Sequence, residues 1–392
     1  MKTITIIGAG IVGLATAYKL QQKYPDSKII IIEKENDITL HQTGRNSGVI
    51  HSGIYYTPNS LKANNCRNGY KQLLQFCDTN DIIYDICGKL IVAAEPHELP
   101  ELQKLYERGA QNHLDNLQWL NSGQIQELEP HVKGINGVLV PQTGIVDYKE
   151  VSHKLLEIIL SKGAEIFFNE KVLDLQQNNQ VAIITNQQTH TADIVYNCAG
   201  LYSDKLAAKT NQINHKIIPF RGEYYELKPE KRHLVNNLIY PVPNPEFPFL
   251  GVHFTRRISG GIEAGPNAVL AFGRESYHKM QINFPELFET LTYSGFLKVA
   301  SKYWRDGAYE MYRSWSKNAF TKALQRLIPE IKKEDLIVAN AGIRAQAVDK
   351  QGNLIDDFLI IREKNVIHVG NAPSPAATAS LAIADSLVEL LE

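Results

Sequence analysis

The chain has 392 residues, enough for two or three globular domains, of which 44 % are apolar and 21 % charged. A formal charge of −1 gives no global field for nucleic acid or an anionic bilayer, and no stripe of Lys/Arg interleaved with aromatics is present. The cysteines Cys66, Cys77, Cys87 and Cys198 form no C-x-x-C pair and no cluster of zinc spacing, which points to a reducing cytoplasm and no metal site.

The first apolar stretch is broken by Gly8, Gly10 and Gly13, so it reads as neither signal peptide nor membrane span, and a soluble protein is expected. Ile4, Ile6 and Ile7 predict a strand that ends at GAGIVG (8–13), followed by a helix over 14–20 and a buried strand over 28–32 that ends at Glu33. Strand, G-x-G-x-x-G, helix, strand, acid is the order that a dinucleotide site needs. Gly8 permits the turn, Gly10 admits the pyrophosphate, Gly13 lets helix and strand pack, and Glu33 can accept the ribose hydroxyls. The helix start offers free N–H groups to the phosphates. The acid argues against a 2′-phosphate, and we group Lys34 with it.

Beyond this unit a simple nicotinamide enzyme would continue with another helix and strand. The chain instead has TGRNSGVIHSGIYY (43–56), a glycine-rich polar loop that can lie flat against a large ring. This favours FAD over NAD, with Arg45, Asn46 and Ser47 as contacts. Residues 88–130 read as helical and charged, with Leu99, Leu102, Leu105 and Tyr106 at helical spacing. DIVYNCAGLYSD (193–204) reads as a strand, a small-residue turn and a helix, bringing Ala199 and Gly200, along with Val172, to the cofactor. The stretch 215–335 is rich in Pro, aromatics and alternating residues, which predicts antiparallel strands with Tyr224, Tyr225 and Tyr240 in the core. NVIHVGNAPSPAAT (365–378) predicts a strand and a turn, with Gly370, Asn371, Ala372, Pro373 and Ser374 at the cofactor. An Ala-rich helix then runs to Leu391, its start suited to a flavin carbonyl carrying negative charge.

Five stretches carry a resemblance that spans nearly the whole chain: RNSGVIHSGIYY (45–56), PFRGEYYELK (219–228), PFLGVHFTRRISGGIEAGPNAVLAFGRE (248–275), AGIRAQAVD (341–349) and NAPSPAATASLAIA (371–384). With them the chain resembles the FAD-dependent D-amino-acid-oxidase superfamily, and within it the L-2-hydroxyglutarate dehydrogenase/oxidase family. The opening fingerprint is generic to flavoproteins; the 248–275 block and NAPSPAATAS are more specific. The expected fold class is α/β (α+β overall), a Rossmann-like FAD-binding domain with a mixed-sheet substrate-capping domain. Because cofactor motifs fall at both ends and in the middle, the FAD domain is expected to be discontinuous, over 1–80, 140–214 and 336–392, with the cap over 81–139 and 215–335.

The resemblance implies oxidation of a small 2-hydroxy acid, with electrons passed to a quinone or oxygen and at most peripheral contact with the inner face of a membrane. Such a reaction needs a base at the hydroxyl and a cation at the carboxylate. An imidazole is the natural base, so His51 is the first candidate and His253 the second. A histidine in a similar loop of dimethylglycine-type relatives tethers the flavin covalently, which leaves a second role open for His51. In the superfamily an arginine in Gly-hydrophobic-Arg clamps the substrate carboxylate; the match is Gly342-Ile343-Arg344, with Ala345 where many relatives have Pro. A second carboxylate would call on Arg256, Arg257, Arg274, Arg45 or Lys62, with Tyr55 or Tyr56. The alternatives are an amino-acid or glycerol 3-phosphate enzyme of the same superfamily, and a non-catalytic flavin-binding redox sensor.

Overall fold

Strand Thr3–Ile7 buries four of its five side chains, as does Lys28–Ile32 beside it. Lys28–Ile32 carries four consecutive isoleucines and Thr3–Ile7 three isoleucines around a buried Thr5, because both lie inside a parallel sheet covered on both faces. The computed structural model describes residues 2–211, 213–245 and 249–391. Its cofactor-side sheet has the strand order 359–363, 366–371, 194–197, 3–7, 28–32, 165–167. Only the edge pair Leu359–Glu363 and Val366–Asn371 is antiparallel. On one face, helices Ile11–Lys23, Tyr148–Ser161 and Ser380–Glu389 share a core of Leu14, Ala17, Leu20, Leu155, Ile159 and Leu387. On the other face Ile7, Ile30 and Val195 pack on Leu175, Val181 and Ile183 of a three-stranded sheet over 172–192.

The second large sheet has eight strands in the order 336–338, 225–227, 262–265, 253–256, 238–241, 89–93, 136–140, 118–121. It is antiparallel except where Lys89–Ala93 runs parallel to Leu238–Pro241. One face meets helix Lys317–Leu324 through Phe254, Leu90, Phe320 and Leu324. Along Leu238–Pro241 and Lys89–Ala93 alternate residues turn the other way, so Tyr240, Leu238 and Ile91 form a separate core with Ile54. A third unit pairs His215–Gly222 with Gly342–Asp349 over eight residues and joins the two large sheets.

Several expectations are corrected. The stretch 88–130 is not wholly helical: it contains strands Lys89–Ala93 and Gln118–Asn121 beside helices Leu99–Gln111 and Ser122–Leu128. KLIVA is buried at all five positions, so a short apolar run won over its charged surroundings. Within 215–335, helices Phe284–Leu291, Ser294–Trp315 and Lys317–Leu324 follow the strands. The closing helix starts only at Ser380, after turns at 374–379. Pro373 and Pro375 cannot donate to a helical ladder, and each disfavours helical backbone in the residue before it. Strands Leu336–Val338 and Gly342–Asp349, placed by sequence in the cofactor domain, hydrogen-bond to Tyr225–Leu227 and His215–Gly222.

One buried ion pair ties these parts together. Asp204, in helix Ser203–Thr210, receives both terminal nitrogens of Arg274, one at 2.8 Å. The carboxylate also accepts from the Ile217 amide at 2.9 Å, and Arg274 donates to the Leu201 carbonyl. Asp204 is 2 % and Arg274 3 % exposed, so removing the guanidinium would strand a desolvated carboxylate. Arg274→Leu is expected to destabilise the protein by about 3–5 kcal/mol, read as a lowered urea midpoint; a midpoint unchanged from wild type would refute that role.

Candidate active site

Two cavities meet along the fingerprint. The first, about 330 Å³, is lined by Gly8, Gly10, Glu33, Lys34, Val172, Ala199 and Gly200 among others. The second, about 290 Å³, is lined by Arg45, Asn46, Ser47, His51, Arg344, Gly370, Asn371, Ala372 and Ser374 among others. Gly10, Gln42, Thr43, Cys198 and Gly200 border both. The continuous trough has two rooms, as a dinucleotide requires.

The glycines act as their spacing predicts. A Cβ on Gly13 would lie 2.1 Å from the Gly8 carbonyl oxygen, and one on Gly8, at φ +103°, 2.6 Å from that of Cys198. Gly10 has only the Thr43 hydroxyl at 3.4 Å from such a position, so its backbone stays open to a ligand. Glu33, 8 % exposed, accepts from the Ala9 amide at 2.7 Å and the Glu35 amide at 3.0 Å. Each of its oxygens retains acceptor capacity for a hydroxyl. Lys34 is drawn into a network with Glu35, Glu275 and His41. Glu35, His41 and Glu275 carry ligand-type atoms within 4.8 Å of one another; the Lys34 ammonium bonds to all three, which makes the group an ion-pair cluster at the cavity wall.

In the second cavity, residues far apart in sequence are braced together. The His51 amide donates to the Thr378 hydroxyl at 3.1 Å, which contacts the Tyr148 hydroxyl at 2.7 Å. His51 Nε2 lies 3.3 Å from the Ser374 hydroxyl. Asn46 closes its own loop by accepting from the Gly48 amide at 2.7 Å. Arg45 stacks on Tyr277 at 4.0 Å and donates to the Leu40 carbonyl at 3.0 Å, which makes it a brace for the loop. Asn371 spends its NH₂ on the Ile355 and Asp357 carbonyls, both at 2.9 Å, and leaves its buried Oδ1 without a partner among the described residues. An unpaired acceptor, open glycine backbone and a buried acid beyond it suit the N–H-bearing edge, pyrophosphate and ribose of a flavin dinucleotide.

Arg344 is surrounded by protein yet open to this cavity, 5.0 Å from the Phe249 ring centroid. Among the described residues it has no ion pair. Burial pushes its guanidinium below the usual arginine range, against the opposing effect of Tyr224 and Asp356. His253 is 6 % exposed and stacks on Tyr240 at 3.9 Å. Its Nδ1 lies 2.9 Å from the Gly251 carbonyl, which can only accept, so Nδ1 carries the proton and Nε2 is left basic. Burial, then the charges of Lys89, His253 and Lys62, hold His51 down at about 3. Burial, with smaller effects of Lys89 and Arg344 and against the Gly251 bond, holds His253 at about 4. Both imidazoles are therefore neutral across the physiological range.

Gly13, Pro373, Tyr55, His253 and Arg256 line neither cavity. Gly13 acts through packing. Arg256 is turned away and paired with Asp85 on the neighbouring short strand. Arg257 is paired with Glu263 and Lys62 with Asp356. Tyr55 lies deeper, its hydroxyl buried without a partner among the described residues and its ring 4.4 Å from the Lys89 ammonium. Sequence reasoning missed Lys89, Tyr148 and Thr378. For Lys89 a signal existed in the apolar run that follows Gly88; the others are recognisable only once 148 and 378 meet beside His51.

Known proteins can now be set against this geometry. A family model described as FAD dependent oxidoreductase matches residues 3–390. The L-2-hydroxyglutarate dehydrogenase of Indibacter alkaliphilus is 52 % identical over 389 residues, covering 98 % of each chain. The mitochondrial L-2-hydroxyglutarate dehydrogenase of Nematostella vectensis is 45 % identical over 402 residues, 97 % of this chain and 88 % of that one. Among solved structures, the dithionite-reduced L-α-glycerophosphate oxidase of Mycoplasma pneumoniae, with FAD bound, superposes with a TM-score of 0.81 at 24 % identity, covering 100 % of this chain and 95 % of that one. That likeness is one of fold. FAD is the cofactor of this chain, and the trough fits it. Gly13→Ala forces the helix off the Gly8 carbonyl at a cost of about 1–3 kcal/mol or more. The variant is expected to purify with most of its flavin absorbance at 450 nm lost; full flavin content would contradict the close approach.

Proposed function

This chain belongs to the FAD-dependent oxidoreductase family, and from that premise we propose that it oxidises L-2-hydroxyglutarate to 2-oxoglutarate. The observation that carries the reading is Arg344, a guanidinium open to the cavity and, among the described residues, without an acid partner, facing the same cavity as the neutral imidazole of His51. An anion beside a proton acceptor is what a 2-hydroxy acid needs. The near full-length relatives named L-2-hydroxyglutarate dehydrogenase support this substrate.

When bound, FAD supplies the hydride acceptor. Gly8, Gly10, Glu33, Val172, Ala199 and Gly200 would hold its adenosine and pyrophosphate, and Asn46, Ser47, Gly370, Asn371, Ala372 and Ser374 its ring. Arg344 binds the carboxylate next to the reacting carbon through two parallel N–H bonds, which fixes the hydroxyl carbon in the cavity. His51, which lines this cavity, takes the hydroxyl proton, and His253, basic at Nε2 but outside the cavity lining, is the second candidate. Tyr224 and Phe220, on the cavity wall, exclude water around them.

The two electrons taken from the substrate then pass to a quinone or to oxygen. Consecutive helices Phe284–Leu291 and Ser294–Trp315 leave Phe284 74 %, Phe288 71 % and Trp304 63 % exposed, with Lys298, Lys302 and Arg305 on the second helix. Bulky apolar side chains among cations support peripheral contact with an anionic bilayer, where a quinone is met. No helix among the described residues is long and apolar enough to cross a membrane. Phe284→Ser with Phe288→Ser is expected to abolish co-sedimentation with phosphatidylglycerol vesicles; unchanged sedimentation would remove this face from the account.

The reaction is tested by anaerobic titration of the yellow holoenzyme with L-2-hydroxyglutarate, beside its D-enantiomer and L-malate. Bleaching by the L-enantiomer alone is expected, and bleaching by another acid or an amine alone would move the substrate. Arg344→Met is expected to lower kcat/KM about 10²- to 10³-fold, equivalent to about 3–4 kcal/mol. Because the histidines are held at about 3 and about 4, they stay proton-accepting as pH falls and become imidazolium only near those values. The kcat/KM profile should accordingly show no acid limb near pH ~6.5, the unperturbed imidazole value. A limb there would contradict the depression of the catalytic imidazole by burial.

A further inference from the structure

A five-carbon dicarboxylate has a second anionic end, and the cations that sequence suggested for it are committed elsewhere. Arg256 is paired with Asp85, Arg257 with Glu263, Arg274 with Asp204 and Lys62 with Asp356. Arg45 is spent on backbone carbonyls and the Tyr277 ring.

Lys89 differs from all of these. It opens strand Lys89–Ala93 near the middle of the cap sheet and is 1 % exposed. Among the described residues its ammonium has neither a hydrogen-bond acceptor nor an acid partner. It has only aromatic faces, Tyr55 at 4.4 Å and Tyr240 at 5.1 Å. Tyr240 in turn stacks on His253 at 3.9 Å. The Tyr55 hydroxyl beside it is a second buried polar group without a partner among the described residues. Strands Lys89–Ala93, Leu238–Pro241 and His253–Arg256 are neighbours in the sheet. Lys89 thus belongs to one buried cluster with Tyr55, Tyr240 and His253, close enough to His51 and His253 for its charge to act on both imidazoles.

A buried ammonium is costly unless an anion meets it. We propose that Lys89, with the Tyr55 hydroxyl, receives the distal carboxylate of the substrate while Arg344 holds the carboxylate at the reacting carbon. The inference rests on the substrate reading above and adds the residue that selects a dicarboxylate. Burial brings Lys89 down to about 7, against the opposing effect of Cys66, and an anion at its head would favour the charged form.

The test compares L-2-hydroxyglutarate with L-2-hydroxyvalerate, which lacks the second carboxylate, as substrates of the purified holoenzymes. Lys89→Met is expected to raise KM for L-2-hydroxyglutarate at least thirtyfold with kcat changed less than threefold. The preference for the dicarboxylate should shrink by the same factor, and Lys89→Arg should restore part of it. Flavin content should stay at the wild-type level and the melting temperature should not fall, since the deleted charge had no partner in the free enzyme. Should Lys89→Met purify without flavin, Lys89→Gln is read in the same way, and loss of flavin from both would overturn the assignment in favour of a structural role. Equal rises in KM for both substrates, or a KM for L-2-hydroxyglutarate within threefold of wild type, would also overturn it. A wild-type enzyme that leaves L-2-hydroxyglutarate unoxidised would instead sink the substrate reading, so the two failures are distinguishable.

Discussion

The pair between Asp204 and Arg274 decides where the rest of the molecule sits. Asp204 follows the Gly200–Tyr202 turn that forms part of the first cavity wall, and Arg274 comes from beyond the cap strands. By also accepting from Ile217, the carboxylate fixes the start of the long strand pair that carries Arg344 at its other end. One desolvated ion pair thus relates the nucleotide turn, the bridge between sheets and the carboxylate-binding arginine. Apolar packing alone would tolerate small slides between these parts; a buried pair whose partners also hold backbone groups does not.

The same low-polarity interior that strengthens this pair shapes the site. In water, two histidines near pH 6.5 would be partly charged at neutral pH. Here burial, together with the nearby cationic groups, keeps both neutral, so positive charge is confined to groups that bind and proton affinity to groups that accept. The aromatic residues around them serve this separation. Tyr240 lies between Lys89 and His253, and Phe249 flanks Arg344, shielding cations without neutralising them.

Much of the fold can be read from the sequence because its strongest signals are short-range. Parallel strands covered on both faces are rich in β-branched apolar residues, so Ile4, Ile6 and Ile7 and the isoleucine run 29–32 are unmistakable, and the glycines between them have steric duties set within a few residues. TGRNSGVIHSGIYY and NAPSPAAT are legible as loops that need small residues, although nothing in either shows that His51 and Ser374 touch. Direction is harder. Arg256 and Arg344 are both strand residues beside apolar ones, yet Arg256 reaches Asp85 and Arg344 faces the cavity, a difference set by partners about a hundred residues away or more. Lys89 was hidden because its strand lies in charged surroundings, where the helical periodicity of Leu99, Leu102 and Leu105 dominates the pattern.

The central position of strand Thr3–Ile7 bears on how the chain is made. Its sheet neighbours are Lys28–Ile32 and Ile194–Asn197, the latter pairs with Val366–Asn371, and the first helix shares its core with Ser380–Glu389. The sheet around Thr3–Ile7 is therefore incomplete until Val366–Asn371 has been made, and the trough, walled by Gly8 and Gly10 on one side and Asn371 and Ala372 on the other, cannot form before then. A truncation that removed the turn segment and helix over 372–389 would take away part of that wall and the helix that shares its core with the first one.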